Sequence, residues 1–273
     1  MPQSQDKCIA DLRINLIGLP RSGGHALISW IAGMCKNAFL IEYLICQPNK
    51  FPVNHIQCDG KSISEKWYDI KKDKESAILN DVYPECVIFK NEKAVPKNYQ
   101  RYGTTQRKEL LEIAGKKRIA NNEVDIVFIR SPWNAFASLL EGRWRLSRKP
   151  LRFASNWVHY AREFLGITNY LPDAVFVVYD FWVLNANYRK AVASRIGLNY
   201  SDFGMNYLIS NKSSFDDRNF QTDATKMDVT NRWKKYIDTD RIARRNRFFK
   251  IYNSHALRLF SYEIFGGIPF DLK

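Results

Sequence analysis

The chain lacks several features that define common classes of protein. It has no run of about 18 apolar residues, the length that crosses a bilayer. Its polar start, residues 1–7, precedes no apolar signal-peptide core. No stretch is repeated, low in complexity, or rich enough in Pro, Gly or Ser to mark a linker. We therefore expect a cytoplasmic protein with no membrane span and one domain over residues 1–273.

Cysteine is scarce and poorly arranged for metal binding. The cysteines are odd in number and scattered, with no Cys-x2-Cys pair: Cys8, Cys35, Cys46, Cys58 and Cys86. Reduced thiols are the expected state. His55 lies three residues before Cys58, but two ligands without a second pair do not predict a metal site. No metal is expected.

Acidic residues are few relative to basic ones. The 42 Lys and Arg outnumber the 28 Asp and Glu, which leaves a net charge of +14. Such a surplus attracts nucleic acid, acidic membranes, phosphorylated cofactors or anionic glycans without distinguishing among them. The densest basic stretches, 143–152 and 241–250, are interpreted as solvated helix faces. Because no nucleic-acid-binding motif is present, no nucleic-acid partner is expected.

Strand and helix patterns alternate along most of the chain. The predicted strands are 12–18, 85–90, 124–130 and 174–180, and the predicted helices are 24–37, 105–118, 132–146, 153–170, 187–196 and one near 240–264. This alternation predicts an α/β fold, a three-layer sandwich with a central parallel sheet covered by helices on both faces. Segments 44–84 and 198–236 fall outside the pattern and are expected to be irregular loops that help bind acceptor or cofactor.

Residues that suit a ligand site follow the predicted strands. Gly18, Lys90, Arg130 and Tyr179 all fall at strand carboxyl ends. Ligands of open α/β sheets bind at that edge. We therefore expect these four segments to meet in one crevice.

The first strand leads into a glycine-containing turn and a helix. Gly18 and Gly23 have the spacing of the ATP/GTP-binding loop, but Gly24 and His25 stand where its Lys and Ser/Thr belong. The turn keeps an anion cradle of backbone amides at a helix start. It has lost the hydroxyl that binds magnesium. A phosphate-containing cofactor handled without Mg²⁺ is therefore predicted.

A second motif follows the strand that ends near residue 129. Arg130, Ser131 and Pro132 end this strand and open a helix, with Ser131 suited to the N-cap and Pro132 to the first helical position. Ser138 lies eight residues after Arg130, about two turns into that helix.

Together the two motifs resemble those of sulfotransferases that use 3′-phosphoadenosine 5′-phosphosulfate, and the resemblance implies a P-loop-NTPase-like sulfotransferase fold. The turn Pro20 to Gly23 resembles the family segment Pro-Arg/Lys-Ser-Gly-Thr-Thr, which grips the 5′-phosphosulfate. Arg130, Pro132 and Ser138 resemble Arg-x-Pro-x-Asp-x-x-x-Ser, whose Arg and Ser bind the 3′-phosphate, although Asn134 replaces the Asp. The resemblance implies cofactor binding by Pro20, Arg21, Ser22, Gly23, Gly24, His25, Arg130 and Ser138.

The resemblance also implies a transfer reaction and a base. Sulfuryl transfer needs charge stabilisation at the leaving oxygens, a task that suits Arg21 and the amides around it. Lys90 matches the Lys of a family segment Lys-Thr-His, and Glu92 occupies the place of its His, which is the base. Glu92 and His25 are the alternative bases, and each also has a purely structural interpretation. The predicted catalytic residues are Arg21, Lys90, Glu92 and His25.

Further resemblances concern the adenosine half of the cofactor. Tyr179 resembles a family Tyr that lies against adenine, and Ser214 and Phe215 resemble a loop that meets the same base. Core packing is an equally acceptable role for Tyr179 and Phe215. A family Arg-Lys-Gly that clamps the 3′-phosphate is missing, with Lys226 in the place of its Arg and Arg232 as a substitute.

These residues favour a metal-independent sulfotransferase that acts on a small-molecule or glycan hydroxyl, with a carbohydrate or glycolipid as the expected acceptor. One alternative is a P-loop kinase or NTPase. Another is a non-catalytic basic protein that binds nucleic acid or anionic glycans. A protein that binds the cofactor but has lost activity is also compatible with the sequence.

Overall fold

A single sheet organises the part of the chain that the structure describes. The computed structural model describes residues 8–42, 51–59, 62–70, 84–92, 95–101, 108, 111–112, 116–141, 148–207, 228–237 and 239–266. Within these residues seven strands form one sheet with the order β4-β3-β2-β5-β1-β6-β7. The strands are β1 (Cys8–Gly18), β2 (Asn37–Glu42), β3 (Phe51–Cys58), β4 (Ile63–Ile70), β5 (Cys86–Asn91), β6 (Arg118–Ile129) and β7 (Val175–Val178).

The sheet is mixed, which corrects the prediction of a parallel sheet. Strands β2, β5, β1, β6 and β7 are parallel, whereas β3 and β4 add an antiparallel hairpin at one edge. This hairpin lies inside the segment 44–84 that was expected to be irregular. Polar residues conceal its strand pattern. Asn54 lies opposite Trp67 and Glu65 lies opposite Ile56, and Asn54 Nδ2 donates diagonally across the hairpin to Glu65 Oε2 at 2.7 Å. This hydrogen bond forms only when the two strands are paired, so neither strand shows it alone.

Helices cover both faces of the sheet. They are α1 (Gly24–Ala32), α2 (Pro132–Glu141), α3 (Pro150–Phe164), α4 (Tyr179–Leu184), α5 (Ala186–Arg195), α6 (Ile242–Tyr252) and α7 (His255–Phe265), with short 3-10 helices at Pro96–Arg101, Phe203–Asn206 and Arg232–Tyr236. Alternate residues of a strand face opposite sides. Accordingly, Ile14 and Leu16 of β1 join the core beneath α1 and α5, whereas Ile17 joins the core beneath α2, α3, α6 and α7. The predicted α/β three-layer architecture is confirmed.

Several helices and strands begin or end at other residues than the sequence predicts. The helix predicted over 24–37 ends at Ala32, and β2 begins at Asn37. A Cβ on Gly33 would lie 2.5 Å from the Gly204 nitrogen, so a distant segment packs against the chain where α1 stops. The last helix predicted near 240–264 is two helices, α6 and α7.

Other boundaries depend on strand pairing. The strand predicted over 124–130 begins at Arg118, because its polar first half pairs with β1 from Cys8 onward. The helix predicted over 105–118 falls mostly outside the described residues. The helix predicted over 153–170 spans Pro150–Phe164, with the proline at its first position. Segment 198–236 contains two 3-10 helices, and residues 208–227 lie outside the described part of the chain.

Strand β1 lies between β5 and β6, so its carboxyl end opens onto the middle of the sheet edge. A Cβ on Gly18, the last residue of β1, would lie 2.3 Å from the ring of Phe128 on β6. Only glycine permits this approach. The loop after β1 therefore starts directly beside the end of β6.

Candidate anion-binding and transfer site

The loop between β1 and α1 presents backbone amides at the start of a helix. Gly23 has φ 99° and precedes the helix, and a Cβ there would lie 2.1 Å from the ring of Tyr179. The first helical hydrogen bonds recorded in α1 both end on the Gly23 carbonyl. The amides of Gly24 and His25 therefore lie in the first turn, where no helical carbonyl accepts them. Such amides and the positive helix end favour an anion.

Two further residues of the predicted motif shape this loop. Ser22 is buried, and its amide donates to the carbonyl of Leu19 at 3.1 Å. Pro20 lies within the turn that this hydrogen bond closes and is half-buried. Both residues hold the loop in shape. The cofactor contact predicted for them remains a prediction.

Arg130 joins the mid-chain motif to this loop. Its Nη1 donates to the Arg21 carbonyl at 3.2 Å, and its Nη2 donates to the Val229 carbonyl. The guanidinium carbon lies 5.1 Å from the centre of the Tyr179 ring. Arg130 is 2% exposed, and its Nε has no hydrogen-bond partner among the residues that the structure describes. A buried donor left without an acceptor is costly, so an anion at this place would be stabilised.

Ser138 connects the same loop to the C-terminal part of the chain. Its buried hydroxyl accepts from Arg21 Nε at 3.1 Å and from Arg232 Nη1 at 3.2 Å. Arg232 is also buried, at the start of the 3-10 helix Arg232–Tyr236. The guanidinium groups of Arg21, Arg130 and Arg232 therefore lie in one small region.

The Asp180 carboxylate supports the start of α2. Its Oδ2 accepts from the Ser131 amide at 2.9 Å, and Asn134 Nδ2 lies 3.5 Å from Oδ1. Burial raises the pKa of Asp180, and the charge of Arg130 opposes that rise. Ser131 does not cap α2 with its side chain as predicted, since its hydroxyl has no partner among the described residues. The Asp180 carboxylate, in the first turn of α4, accepts from its amide instead.

Lys90, at the end of β5, lies between two candidate bases. Its Nζ is 3.0 Å from His25 Nε2 and 3.4 Å from Glu92 Oε1. A Cβ on Gly24 would lie 3.2 Å from Glu92 Oε1 and 3.4 Å from Lys90 Cε, so both side chains lie over the start of α1. Burial, and after it the charge of Glu92, raises the pKa of Tyr160.

An ammonium group only donates hydrogen bonds. A protonated Lys90 therefore requires Nε2 of His25 to be the acceptor. The imidazole is then neutral, with its proton on Nδ1.

The adenine contact of Tyr179 remains a prediction. The ring is 4% exposed and stacks on Trp182 at 5.4 Å, with the rings inclined by 30°. It also packs against Gly23 and Arg130. Through these contacts Tyr179 supports the loop, which is the core-packing role that the sequence also allowed. The other adenosine-site candidates, Ser214, Phe215 and Lys226, lie outside the described residues.

Most predicted site residues come together in the structure. They form two adjoining groups along the loop after β1: Arg21, Gly23, Arg130, Ser138, Tyr179 and Arg232 in one, and Gly24, His25, Lys90 and Glu92 in the other. The four segments meet, but the strand predicted over 174–180 ends at Val178, and Tyr179 begins α4. The cofactor-binding and catalytic roles of these residues remain predictions.

Sequence reasoning missed the groups that hold Arg130 in place. Trp157 Nε1 donates to the Arg130 carbonyl at 2.9 Å, and the Arg130 guanidinium donates to the Val229 carbonyl. Asp180 holds the adjoining amide of Ser131. These partners lie 27 to 99 residues away along the chain. No local pattern marks such contacts.

The surroundings of the cysteines and histidines show no metal centre in the described ranges. Those ranges contain no cluster of three or more His, Cys, Asp or Glu side chains that suits a metal ion. His55 packs on the ring of Phe39 at 5.1 Å, and Cys8, Cys35, Cys58 and Cys86 are free thiols. No helix in the same ranges has both the length and the apolar character needed to cross a bilayer.

Comparisons with known proteins give a structural likeness. No family model matches the chain, and no curated protein matches its sequence. Among solved structures, the chain is similar to the sulfotransferase domain from the Synechococcus PCC 7002 olefin synthase, with a TM-score of 0.48 and 14% sequence identity. The likeness covers 98% of this chain and 97% of that one.

Proposed function

We propose that the protein is a sulfotransferase that moves a sulfuryl group from 3′-phosphoadenosine 5′-phosphosulfate to a hydroxyl, without a metal. The proposed acceptor is a carbohydrate or glycolipid. One observation carries the proposal: Arg130 donates to the carbonyl of Arg21 at 3.2 Å. The two motifs that resemble the nucleotide-binding segments of the family therefore adjoin each other. One nucleotide can contact both.

The residues present fit an anionic nucleotide. The Arg130 Nε is buried and has no hydrogen-bond partner in the described part of the chain. The left-handed Gly23 turns the chain into α1, so that amides of the first helical turn are available to a phosphate. Arg21, Arg130 and Arg232 add positive charge beside this loop. Guanidinium groups bind phosphate oxygens through paired hydrogen bonds.

The chain's own groups would assist the transfer at the other end of the loop. When bound, the donor supplies a sulfuryl group whose sulfur–oxygen bond to phosphate breaks as the acceptor oxygen bonds to sulfur. Lys90 and the amides of Gly24 and His25 would stabilise negative charge on the phosphate side. Arg21 and Arg130 would orient the nucleotide. The proton of the acceptor hydroxyl needs a base.

Glu92 is the base that the contacts favour. A protonated Lys90 occupies Nε2 of His25 with a hydrogen bond at 3.0 Å, so that nitrogen does not take an acceptor proton. Glu92 keeps carboxylate lone pairs for the acceptor hydroxyl while one oxygen lies 3.4 Å from Lys90. His25 then acts through Lys90, as a positioning residue.

Calorimetric titration with adenosine 3′,5′-bisphosphate tests the proposal. We expect the wild-type protein to bind it, and Arg130→Ala and Ser138→Ala each to weaken binding by about tenfold or more, the typical effect of a lost charge-assisted hydrogen bond. Arg245→Ala, on the exposed part of α6, is the control and should not change the affinity. A wild-type protein that gives no binding heat, or unchanged affinity in both site variants, would contradict the proposal.

A further inference from the structure

Half of the exposed large apolar side chains in the described part of the chain lie on two helices that meet. They are Phe181 and Leu184 of α4, and Leu259 and Tyr262 of α7. The Phe181 ring lies 6.3 Å from the ring of Phe265, the last residue of α7. These five residues form one contiguous patch, which we call the apolar stripe.

The stripe follows from the spacing of its residues. Leu259, Tyr262 and Phe265 recur every third residue, so they form one row along α7. Phe181 and Leu184 have the same spacing on α4. Leu184 is 71% exposed and Tyr262 is 59% exposed, so packing leaves most of each side chain open to solvent. Single exposed apolar residues are common, whereas contiguous ones mark an interaction surface.

The exposed charges on the helices that carry or adjoin the stripe are mostly positive. Lys190 and Arg195 are exposed on α5, and Arg258 is exposed on α7 one turn before Tyr262. Glu263 is the one exposed acidic residue of α4, α5 and α7. Three cations therefore accompany the stripe against one carboxylate.

Tyr188 connects the charges of α5 to the stripe. Its ring lies 6.2 Å from the Phe181 ring. Burial raises the pKa of Tyr188, and the charge of Arg195 opposes that rise, so this guanidinium lies near the ring. A cavity of about 590 Å³ between α4 and α5 is lined by Phe181, Leu184 and residues 185–188. Apolar and polar groups thus adjoin each other at this end of the stripe.

We propose that the apolar stripe docks on the surface of bilayers that contain anionic phospholipids. Such a surface has apolar chains beside negative headgroups, and the stripe has apolar side chains beside exposed cations. The net charge of +14 attracts the whole molecule to the same surface. A second copy of the chain at the stripe would bring like charges together, which favours lipid as the occupant. The inference goes beyond the proposed function and does not depend on it.

Helix α4 connects the stripe to the candidate site. Its first residue, Tyr179, packs against Gly23 and Arg130, and its last residue, Leu184, belongs to the stripe. Six residues of helix span about 9 Å. A docked bilayer would therefore lie close to the candidate site.

Sedimentation with sucrose-loaded vesicles tests the proposal. One set of vesicles is phosphatidylcholine alone, and the other contains about 30% phosphatidylserine. We expect the wild-type protein to bind the second set at least about tenfold more strongly, because each cation near an anionic surface adds attraction. Binding to neither set, or equal binding to both, would overturn the proposal.

Substitutions in the stripe test the apolar contact. Leu184→Gln with Tyr262→Gln should weaken binding to the anionic vesicles by about tenfold or more, since these side chains no longer enter the lipid. Leu151→Gln with Ile242→Gln is the matched control, because these residues are 71% and 69% exposed on α3 and α6. The control should change binding by less than about twofold. Equal weakening by the two pairs would contradict the assignment to the stripe.

Substitutions of cations test the electrostatic contact. Arg195→Gln with Arg258→Gln should reduce the preference for phosphatidylserine by about tenfold. Arg245→Gln with Lys250→Gln removes the same charge from exposed positions of α6 and should reduce it by less than about twofold. A larger effect of the α6 pair would place the lipid contact on α6 and overturn the proposal. Circular dichroism confirms that each variant is folded.

Light scattering separates lipid docking from self-association. We expect the same molecular mass for the wild-type protein and for Leu184→Gln with Tyr262→Gln. A wild-type dimer that this double variant dissociates would assign the stripe to a second copy of the chain and overturn the proposal.

Calorimetry with adenosine 3′,5′-bisphosphate keeps the inference separate from the proposed function. The variant Leu184→Gln with Tyr262→Gln should bind the nucleotide as the wild-type protein does, because neither residue belongs to the candidate site. Loss of vesicle binding with unchanged nucleotide binding would support the stripe as a separate lipid-docking surface. Vesicle binding by a protein that binds no nucleotide would support the stripe while contradicting the proposed function.

Discussion

The ammonium group of Lys90 contacts both candidate bases, His25 and Glu92. This contact gives the two residues different roles. Its ammonium lies 3.0 Å from His25 Nε2 and 3.4 Å from Glu92 Oε1. The imidazole nitrogen has a single lone pair, which Lys90 uses, whereas a carboxylate accepts several hydrogen bonds at once. Glu92 is therefore able to accept a proton without releasing Lys90.

Glu92→Gln tests this assignment. The amide cannot take up a proton, so we expect turnover to fall by about 100-fold or more, within the range for a lost general base. Affinity for adenosine 3′,5′-bisphosphate, measured by calorimetry, should stay within about twofold, since the amide has the size of the carboxylate and leaves the arginines in place. Glu123→Gln, near the middle of β6 beside Arg13, is the control. Normal turnover in Glu92→Gln would show that the base is another residue.

Gly23 has a left-handed backbone and also packs closely against the Tyr179 ring. Gly197 has a left-handed backbone without such a close contact. Gly23 has φ 99°, and a Cβ there would lie 2.1 Å from the Tyr179 ring. Gly197 has φ 78°, with no heavy atom of the described chain within 4 Å of an added Cβ. The pair therefore separates backbone strain from steric overlap.

Alanine at the two glycines should have unequal effects on stability. Gly197→Ala should lower the free energy of unfolding by about 1 kcal/mol, the cost of the left-handed backbone. Gly23→Ala should lower it by at least about 2 kcal/mol more, because the buried Tyr179 ring has to move. Urea denaturation measures both values. Equal losses in the two variants would mean that the contact with Tyr179 contributes nothing.

At the scale of elements, an ion pair orders the segment that packs against α1. Arg189 on α5 donates from Nε and Nη2 to the two oxygens of Asp202, each at 2.8 Å. Asp202 precedes the 3-10 helix Phe203–Asn206, and a Cβ on Gly204 would lie 2.0 Å from the carbonyl oxygen of Ser29 on α1. This ion pair therefore orders a segment that packs directly against α1.

Asp202→Asn should destabilise the protein in a pH-dependent way. The hydrogen bond from Arg189 lowers the pKa of Asp202 below its ordinary value of 3.8. A lowered pKa gives stability that is present above the ordinary value and is lost as pH falls through the lowered one. We expect a loss of about 1 kcal/mol at pH 7 that shrinks as the pH falls below 3.8.

Urea denaturation of wild type and variant at several pH values measures this difference. The exposed Asp173→Asn is the matched control and should have little effect at any pH. A difference that stays constant from pH 7 to about pH 3 would show that the charge of Asp202 is not what stabilises the contact.

At the scale of the whole molecule, the net charge of +14 attracts polyanions of every kind. The site proposed at the loop after β1 binds a nucleotide. Exposed basic residues such as Arg245 and Lys250 lie on α6, outside the cluster around Ser138. Nonspecific attraction by such residues depends steeply on salt. A nucleotide held by buried groups depends on salt far less.

Thermal unfolding distinguishes these ligand classes. Adenosine 3′,5′-bisphosphate at about 100 times its Kd should add about 2.7 kcal/mol of stability, or a rise in Tm of about 5–10 °C. EDTA should not change this rise, because the loop lacks the Lys and Ser/Thr that accompany magnesium. A rise that requires Mg²⁺ and is matched by ATP would favour the kinase or NTPase alternative.

Local patterns were sufficient for the elements that border the site. The apolar run of β1, the glycine turn and α1 were predicted, because a buried strand and a tight turn need specific residues along a short stretch. Both motifs lie on strand–turn–helix units as expected. The β3–β4 hairpin and the early part of β6 were missed, because polar residues in them are stabilised by partners on other strands.

The sequence by itself determined the α/β class and which residues stand at the strand ends, since burial and turn geometry act over a few neighbouring residues. Only the tertiary structure decided where the long side chains go. It sends Arg21 to Ser138 and leaves Lys90 over α1. A flexible side chain selects its partner among groups brought near by folding, and Ser138 lies 117 residues from Arg21 along the chain.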